Sequence, residues 1–253
     1  MIDLHSHLLP GVDDGSRTVE QSVKVLGSMA GQGITDVCLT PHMKSSRAEA
    51  GPPPTHDQAF TALRQAAPPA PRLHRGAEVM LDRPLTRPVA LARNLTLNGT
   101  RYILVEFPRL VPFDIATTAL SQVLELGLLP ILAHPERYSC CSVEGVRHWK
   151  ALGARMQVDS TTLLTGQARG QRARQLVGEG LADILAGDNH GDDRSVATGA
   201  DFLRAQDGSE QVELLAVRNP AAILSDQPLT PVPPIRIRQS WMRRIKDFLE
   251  GSR

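Results

Sequence analysis

The sequence predicts an α/β fold built on parallel strands, and two observations support this prediction. Seven short apolar runs typical of strands are separated by stretches in which apolar residues recur at helical spacing. Strands that alternate with helices form parallel βαβ units. The length of 253 residues suits one α/β barrel, although two smaller domains would also fit.

Each apolar run ends on a histidine or an acidic residue. The runs and their polar ends are residues 2–4 with His5 and His7, 34–40 with His42 (through Pro41), 73–77 with Glu78, 102–105 with Glu106, 129–133 with His134, 156–158 with Asp159, and 184–187 with Asp188. The predicted helices between them are residues 19–29, 59–66, 115–126, 143–152, 168–180 and 196–205. Because the C-terminal ends of barrel strands meet on one face, the pattern predicts an active site there. Residues 45–56 and 67–72 are predicted loops at its rim.

Composition excludes several classes of protein. A net charge of +1 does not fit a dedicated nucleic-acid binder, so no nucleic-acid partner is expected. The apolar runs are too short to span a bilayer, and the N-terminus has no secretory signal pattern. Three cysteines, of which Cys140 and Cys141 are adjacent, do not make a disulfide framework. A reduced, cytoplasmic protein is expected.

The polar strand ends have the chemistry of metal ligands. In a strand, His5 and His7 face the same side, so both imidazoles can reach one ion. Glu78 and Glu106 follow apolar strands, where a carboxylate is costly to bury unless it is metal-bound or part of an ion pair. Imidazoles combined with carboxylates suit Mn, Fe(II) or Zn, and the cysteines take no part in the pattern.

An ordered set of motifs between residue 1 and about residue 225 resembles a known family. The motifs are Met1-Ile2-Asp3-Leu4-His5-Ser6-His7, Val12-Asp13-Asp14-Gly15-Ser16, Thr40-Pro41-His42, Gly76-Ala77-Glu78, Val105-Glu106-Phe107-Pro108, Ala133-His134-Pro135-Glu136-Arg137-Tyr138 and Gly187-Asp188-Asn189-His190. Together they resemble the polymerase-and-histidinol-phosphatase (PHP) superfamily. Within it, the chain is most similar to the manganese-dependent protein-tyrosine phosphatases encoded with bacterial capsule and exopolysaccharide systems. One departure is Gly187-Asp188-Asn189-His190, where the family often has Ser-Asp-Ala-His.

The resemblance implies a distorted seven-stranded (β/α) barrel of PHP type with two or three divalent metal ions, preferably manganese and otherwise iron or zinc. The ligand sets that it implies are His5, His7, Glu78 and Asp188 for one ion, Glu78, Glu106 and His134 for a second, and Asp14, His42 and His190 for a third. Asp13 could take the place of Asp14. The implied metallophosphatase barrel covers residues 1–226, and residues 227–253 form a Pro-rich linker and a basic amphipathic tail.

The resemblance also implies a mechanism, in which hydroxide bridging the metal ions attacks phosphotyrosine in line. Arg137 is the predicted ligand of the phosphate oxygens, Arg194 is a second candidate, and His190 is a candidate general acid. The expected partner is a phosphotyrosine protein, namely the tail of a capsule or exopolysaccharide tyrosine kinase. With only 4% aromatic residues, the candidates for a surface under the tyrosyl ring are Phe107, Phe113 and Tyr138.

The sequence leaves four alternatives open. Another PHP phosphoesterase would act on histidinol phosphate or on nucleic-acid ends. A metal-dependent amidohydrolase shares the initial His-x-His but needs a bridging lysine for which the sequence offers no convincing candidate. Cys141 and Arg147 fit the Cys-x5-Arg spacing of thiol-based tyrosine phosphatases, although two valines and a glutamate are poor residues for a phosphate cradle.

The fourth alternative is a membrane-proximal scaffold. Its support is the tail, in which Trp241, Ile245, Phe248 and Leu249 share a predicted helix face with basic residues nearby. If the protein is the predicted phosphatase, the same tail allows a weak contact with a membrane surface. The oligomeric state is not predicted by the sequence.

Overall fold

The computed structural model describes residues 1–238, and the strands in this part of the chain all pair in parallel. They are β1 (Ile2–Ser6), β2 (Asp36–Leu39), β3 (His42–Lys44), β4 (Arg72–Arg75), β5 (Glu78–Met80), β6 (Tyr102–Glu106), β7 (Leu129–Ala133), β8 (Arg155–Asp159) and β9 (Ile184–Ala186). Each of the seven predicted runs overlaps at least one of these strands. The prediction of an α/β fold with parallel strands is therefore confirmed.

The strands form two sheets, with the orders β1-β2-β4 and β3-β5-β6-β7-β8-β9, where the sequence predicted one set of seven. The difference arises because two of the predicted runs are each followed, after a short break, by a second strand that starts at the polar residue and belongs to the other sheet. Thr40 and Pro41 separate β2 from β3, and proline cannot donate to the ladder. Gly76 and Ala77 separate β4 from β5. A Cβ at Gly76 would lie 2.7 Å from Leu97 Cδ2, so the close approach of neighbouring side chains accounts for glycine at this break.

The two segments, residues 36–44 and 72–80, stay side by side across these breaks. Gly76 N–H donates to the carbonyl of Leu39 at 3.0 Å, and Glu78 N–H donates to that of Pro41 at 3.1 Å. The first and last runs also meet, through an isolated parallel bridge between Ser6 and Asn189. These contacts bring the C-terminal ends of strands from both sheets to one region.

The helices of residues 1–238 lie largely where apolar spacing predicted them. They are α1 (Val19–Gly31), α2 (Pro54–Ala66), α3 (Arg87–Ala92), α4 (Phe113–Glu125), α5 (Val143–Leu152), α6 (Ala168–Gly178), α7 (Val196–Arg204), α8 (Ser209–Glu213) and α9 (Asn219–Leu224). The short helices α3, α8 and α9 escaped prediction, because five or six residues are too few to show a period. The predicted loop at 45–56 is wrong in part, since Ser45–Ala50 is a 3-10 helix and α2 begins at Pro54.

Alternate residues of the strands enter two apolar clusters. Tyr102, Leu104, Ile131 and Ala133 belong to the smaller one, while Ile103, Val105 and Leu132 join the larger cluster with the helices. Strands buried on both faces are typical of parallel sheets covered by helices. None of the helices described has the length and apolarity needed to cross a membrane.

Residues 227–238 follow the fold without helix or strand. The Asn219 amide donates to the Thr230 carbonyl at 2.9 Å, Ile235 N–H donates to the Gly178 carbonyl at 2.9 Å, and Val232 is buried. The proposed boundary between residues 226 and 227 stays a prediction. The predicted tail helix around Trp241, Ile245, Phe248 and Leu249 lies outside the described residues.

Candidate metal centre

The structure brings all nine predicted metal ligands together. His42 and Glu78 begin β3 and β5, and the other seven lie at or after the C-terminal ends of β1, β6, β7 and β9. Their ligand atoms form four overlapping groups, in each of which they lie within 4.8 Å of one another. The groups are His7, Asp14, His42 and His190; His5, Glu78 and His134; His5, His7 and Asp188; and His42, Glu78 and Glu106. Residues as distant in the sequence as His5 and His190 thus meet in one cluster.

The most deeply buried group has the spacing of ligands around one ion. Nε2 of His5 lies 3.1 Å from Nε2 of His7, and these nitrogens are 3.3 and 3.4 Å from Oδ1 of Asp188. Ligand atoms held ~2.1 Å from a shared ion lie ~3.0–3.4 Å apart in octahedral or tetrahedral geometry. Oδ1 of Asp188 is buried and has no hydrogen-bond partner among residues 1–238. A divalent cation would satisfy this oxygen and both nitrogens, so the residues fit a metal.

Glu78 lies where the groups meet. Its Oε2 is 3.2 Å from His5 Nε2, 3.3 Å from His7 Nε2 and 3.1 Å from His42 Nδ1, and its Oε1 is 2.9 Å from His134 Nε2. A carboxylate in this position can bridge two ions. All of the predicted ligands lie in this cluster, and their binding of metal stays a prediction.

Two ligands group differently from the prediction. His134 joins Glu78 and His5, whereas Glu106 joins Glu78 and His42. Nδ1 of His42 lies 3.1 Å from Oε1 of Glu106. Side-chain direction decides these groups, and strand order alone could not predict it.

The two adjacent aspartates have different partners. Oδ1 of Asp14 lies 3.4 Å from His42 Nε2 and 3.5 Å from His190 Nε2, which brings together the set predicted for the third ion. Asp13 instead accepts hydrogen bonds from His7 Nδ1 at 2.8 Å and from the His42 backbone N–H at 3.1 Å. This geometry favours Asp14 as the ligand and gives Asp13 the role of orienting His7.

Gln157, which no motif in the sequence singled out, orients the other buried histidine. Its Oε1 lies 3.0 Å from Nδ1 of His5, so that Nδ1 carries the hydrogen and Nε2 presents its lone pair to the cluster. Gln157 is fully buried on β8, two residues before Asp159. This spacing places both side chains on the same face of the strand, and it is the signal that could have revealed Gln157.

Two of the predicted ligands have a left-handed backbone. His134 directly follows β7 and Asp188 lies two residues beyond the end of β9, with φ of 36° and 49°. Non-glycine residues rarely adopt positive φ, and they persist there only where the surrounding structure compensates for the strain. Here the turn directs both side chains into the cluster rather than along the strand.

The charges of the cluster compensate one another. Burial opposes protonation of His7, but the nearby carboxylates of Asp13, Asp188 and Glu78 outweigh it and raise its pKa to about 12. Burial likewise opposes protonation of His42, but hydrogen bonds to Glu106 and Glu78 outweigh it and raise the pKa of His42 to about 10. Burial raises the pKa of the Glu78 carboxyl, yet His5 and the hydrogen-bonding histidines hold it well below its usual range. The carboxylates thus require positive charge, which protons supply when metal is absent.

Both predicted phosphate-binding arginines lie beside Asp188. Arg137 donates from Nη2 to Asp159 and to Asp188 Oδ2, and its side chain is 26% exposed. Nη1 of Arg194 is 3.5 Å from the same Asp188 oxygen, while its Nε donates to Asp192 at 2.9 Å. The two guanidinium groups therefore flank the cluster and remain partly open to solvent. Their binding of phosphate stays a prediction.

The structure argues against the thiol mechanism. Cys141 is buried, and burial raises the pKa of its thiol to about 12, so the reactive thiolate is strongly disfavoured. Arg147 donates a hydrogen bond to Glu179 at 2.7 Å, so its guanidinium group is not free to bind a phosphate beside Cys141.

The predicted aromatic surface is wrong at two of its three residues. Phe107 and Tyr138 are only 3% and 1% exposed. The Tyr138 hydroxyl donates to the Ala133 carbonyl at 3.0 Å and accepts from Phe107 N–H at 3.2 Å, so Tyr138 supports β6 and β7 from inside. Phe113 is more exposed but stacks on Trp149.

Comparison with known proteins agrees with the arrangement of this centre. The family model for capsular polysaccharide synthesis, CpsB/CapC, matches residues 1–225. The chain belongs to the CpsB/CapC family. The tyrosine-protein phosphatase CpsB of Streptococcus pneumoniae is 28% identical over 242 residues, which are 90% of this chain and 99% of CpsB. The tyrosine-protein phosphatase YwqE of Bacillus subtilis is 30% identical over 200 residues, 75% of this chain and 77% of YwqE.

The CpsB/CapC relationship extends to solved structures. A chain from the crystal structures of YwqE from Bacillus subtilis and CpsB from Streptococcus pneumoniae, described as metal-dependent tyrosine phosphatases, matches with a TM-score of 0.77 and 26% identity. The match covers 94% of this chain and 100% of that chain. Dihydropyrimidinase from Brevibacillus agri, at 11% identity and a TM-score of 0.53, shares the fold alone.

Proposed function

We propose that this member of the CpsB/CapC family is a metal-dependent phosphomonoesterase that hydrolyses phosphotyrosine in proteins. The observation that carries the proposal is the cluster of nine histidine and carboxylate ligands at the strand ends. The two curated relatives are named tyrosine-protein phosphatases, and the matching solved structures are described as metal-dependent, which supports the same activity here.

The proposed cofactors are two or three divalent ions, with manganese preferred over iron or zinc. Five imidazoles with four carboxylates form a donor set suited to all three metals. Glu78, which contacts both the buried and the open parts of the cluster, is the proposed bridge. When bound, such ions lower the pKa of water to about 7 and neutralise charge on the phosphoryl group.

The protein's own residues orient the substrate and the ligands. Gln157 and Asp13 hold the ring nitrogens of His5 and His7 in the tautomer that points Nε2 into the cluster. Arg137 and Arg194 are proposed to bind non-bridging phosphate oxygens from the side of Asp188.

His190 is proposed as a ligand in preference to a general acid. Burial and the neighbouring His7 lower the pKa of His190, which favours the neutral ring that can bind a metal. Its predicted role in donating a proton to the tyrosyl oxygen stays a prediction.

Three finer proposals accompany this function. The substrate is proposed to be a tyrosine kinase of capsule or exopolysaccharide synthesis, in agreement with the family's description. The site of action is proposed to be the cytoplasm. The seven runs are proposed to form the distorted barrel of PHP type, with the bridge between Ser6 and Asn189 as the contact between its first and last runs.

The test is turnover of a phosphotyrosine peptide by chelator-stripped protein with and without Mn²⁺, repeated for His134→Ala and Cys141→Ser. We expect activity that requires metal, falls at least a hundredfold in His134→Ala and persists in Cys141→Ser. Activity that ignores the chelator and vanishes in Cys141→Ser would refute the metal mechanism. Histidinol phosphate and a DNA 3′-phosphate serve as competing substrates, and preference for either would favour the other PHP phosphoesterases.

A further inference from the structure

A groove of about 860 Å³ opens beside the metal cluster. His42 and Glu106 belong both to the cluster and to the lining of this groove, so the two are continuous. Its volume lies within the range of about 300–1,000 Å³ that is usual for ligand sites. A substrate whose phosphate reaches the cluster would therefore place its remaining atoms in the groove.

Part of the groove lining is apolar. Val12, Met80 and the consecutive prolines 52–54 contribute to it. Met80 is the last residue of β5, two positions beyond Glu78 on the same face of the strand. Thioether and proline surfaces can pack against a flat ring, as an aromatic platform would. This lining can contact the tyrosyl ring in place of Phe107 and Tyr138, which are buried elsewhere.

One wall of the groove is basic and held in place. Lys44 and Arg47 line it, both are exposed, and neither has an ion-pair partner among residues 1–238. The 3-10 helix that carries Arg47 is attached to Asp82, which accepts hydrogen bonds from the Ser45 hydroxyl at 2.8 Å and the Ser46 N–H at 2.9 Å. The two cations are thus presented on a wall anchored to the loop after β5.

We propose that this groove binds the tyrosyl ring and the adjoining residues of the substrate, and that Lys44 and Arg47 select phosphotyrosine peptides with acidic neighbours. The inference rests on the proposed function and names the substrate class of the same site. The apolar part accounts for the ring, and two unpaired cations on an anchored wall account for a preference for negative charge.

The experiment compares the wild-type chain with the double variant Lys44→Glu/Arg47→Glu in kcat/KM, at low ionic strength and with metal. The substrates are phosphotyrosine peptides flanked by Asp and Glu, by Gln, and by Lys, together with para-nitrophenyl phosphate, which has no flanking residues. The control is Arg87→Glu/Arg218→Glu, which makes the same change of charge at two exposed positions outside the groove lining.

We expect the groove variant to lose about tenfold or more on the acidic peptide, to gain on the lysine peptide, and to retain turnover of para-nitrophenyl phosphate within about twofold. Added salt should reduce the difference, because exposed charges are screened. The control should leave the order of preference unchanged. Equal losses on all substrates, or no change of preference, would overturn the inference while leaving the phosphatase activity established. A wild-type chain that hydrolyses none of these substrates with metal would instead refute the proposed function.

A second variant tests the apolar lining separately. Met80→Ala should lower kcat/KM for phosphotyrosine and para-nitrophenyl phosphate by about tenfold while changing that for an alkyl phosphate by less than about threefold. A similar loss for aryl and alkyl phosphates would show that Met80 supports the cluster and does not contact the ring.

Discussion

Replacing Gln157 with leucine tests how the buried histidines are held for metal binding. Gln157 Oε1 is the partner of His5 Nδ1 at 3.0 Å, while its own Nε2 is buried without a hydrogen-bond partner among the described residues. Leucine has a similar size. The change leaves the buried His5 Nδ1–H without a partner, but it also removes the unsatisfied Gln157 amide, and each such buried group costs about 1–3 kcal/mol. These two effects oppose each other, so the free energy of unfolding of the metal-free protein should change by less than about 1 kcal/mol.

Metal affinity should respond much more strongly. Without Gln157, neither the tautomer nor the ring orientation of His5 is fixed, and loss of such a partner typically weakens metal binding 10–100-fold, or about 1.4–2.7 kcal/mol. The assay is a calorimetric titration of metal-free protein with Mn²⁺, with urea unfolding measured in parallel. The matched control is Gln211→Leu, at a buried glutamine that bonds to the Pro233 carbonyl, far along the chain from the cluster ligands. Unchanged Mn²⁺ affinity in Gln157→Leu would refute the orienting role, as would an equal loss in Gln211→Leu.

Three further predictions concern the cluster and the fold around it. Because the pKa of His7 is raised to about 12, the metal-free protein holds a proton that a metal must displace, so Mn²⁺ affinity should rise with pH from 6 to 8. Binding enthalpies of Mn²⁺ that do not vary with the ionisation enthalpy of the buffer would contradict this release of a proton. Gly15→Ala would place a Cβ 1.9 Å from the His7 carbonyl oxygen, so it should lower stability by about 2 kcal/mol and activity at least tenfold. Gly27→Ala meets no atom within 4 Å and should stabilise helix α1 by about 0.5–1 kcal/mol in thermal unfolding. Asp183→Asn should destabilise the protein by about 1–3 kcal/mol in urea without changing turnover, since the buried Asp183 carboxylate accepts a hydrogen bond from the Met156 N–H at 2.8 Å. Asp201→Asn, at an exposed position, should change stability by less than about 0.5 kcal/mol, and equal effects of the two variants would show that burial does not decide the loss.

The fold was predictable where a repeated physical signal spans many residues. Apolar runs with polar ends located every strand region, and helical spacing located the longer helices, with α5 predicted at its observed bounds. The division into two sheets was less visible, because it depends on two short breaks. Pro41 indicated the first break. The second break, at Gly76, is explained by the close approach of Leu97 and Cys38, which the sequence does not show.

Which predicted residues lie together was more predictable than how their side chains are arranged. Strand ends that converge on one face bring His5, Glu78 and Asp188 together whatever their side-chain torsions. Which atoms face each other depends on those torsions and on local turns. For this reason the roles of Asp13 and Gln157, and the grouping of His134 with His5, became visible only in three dimensions.

The bridge between the first and last strand runs has a consequence for the order of folding. Ser6 pairs with Asn189, and His7 N–H donates to the Asn189 carbonyl at 2.7 Å, so these contacts close a loop of most of the chain. Contacts between such distant residues form slowly, because their loop-closure entropy is lost before they contribute stability. During synthesis, residues 5–7 emerge first and must wait for residues 188–190. Acquisition of the full complement of ions should therefore mark the completion of folding, and nascent chains that stop before residue 188 should not retain it.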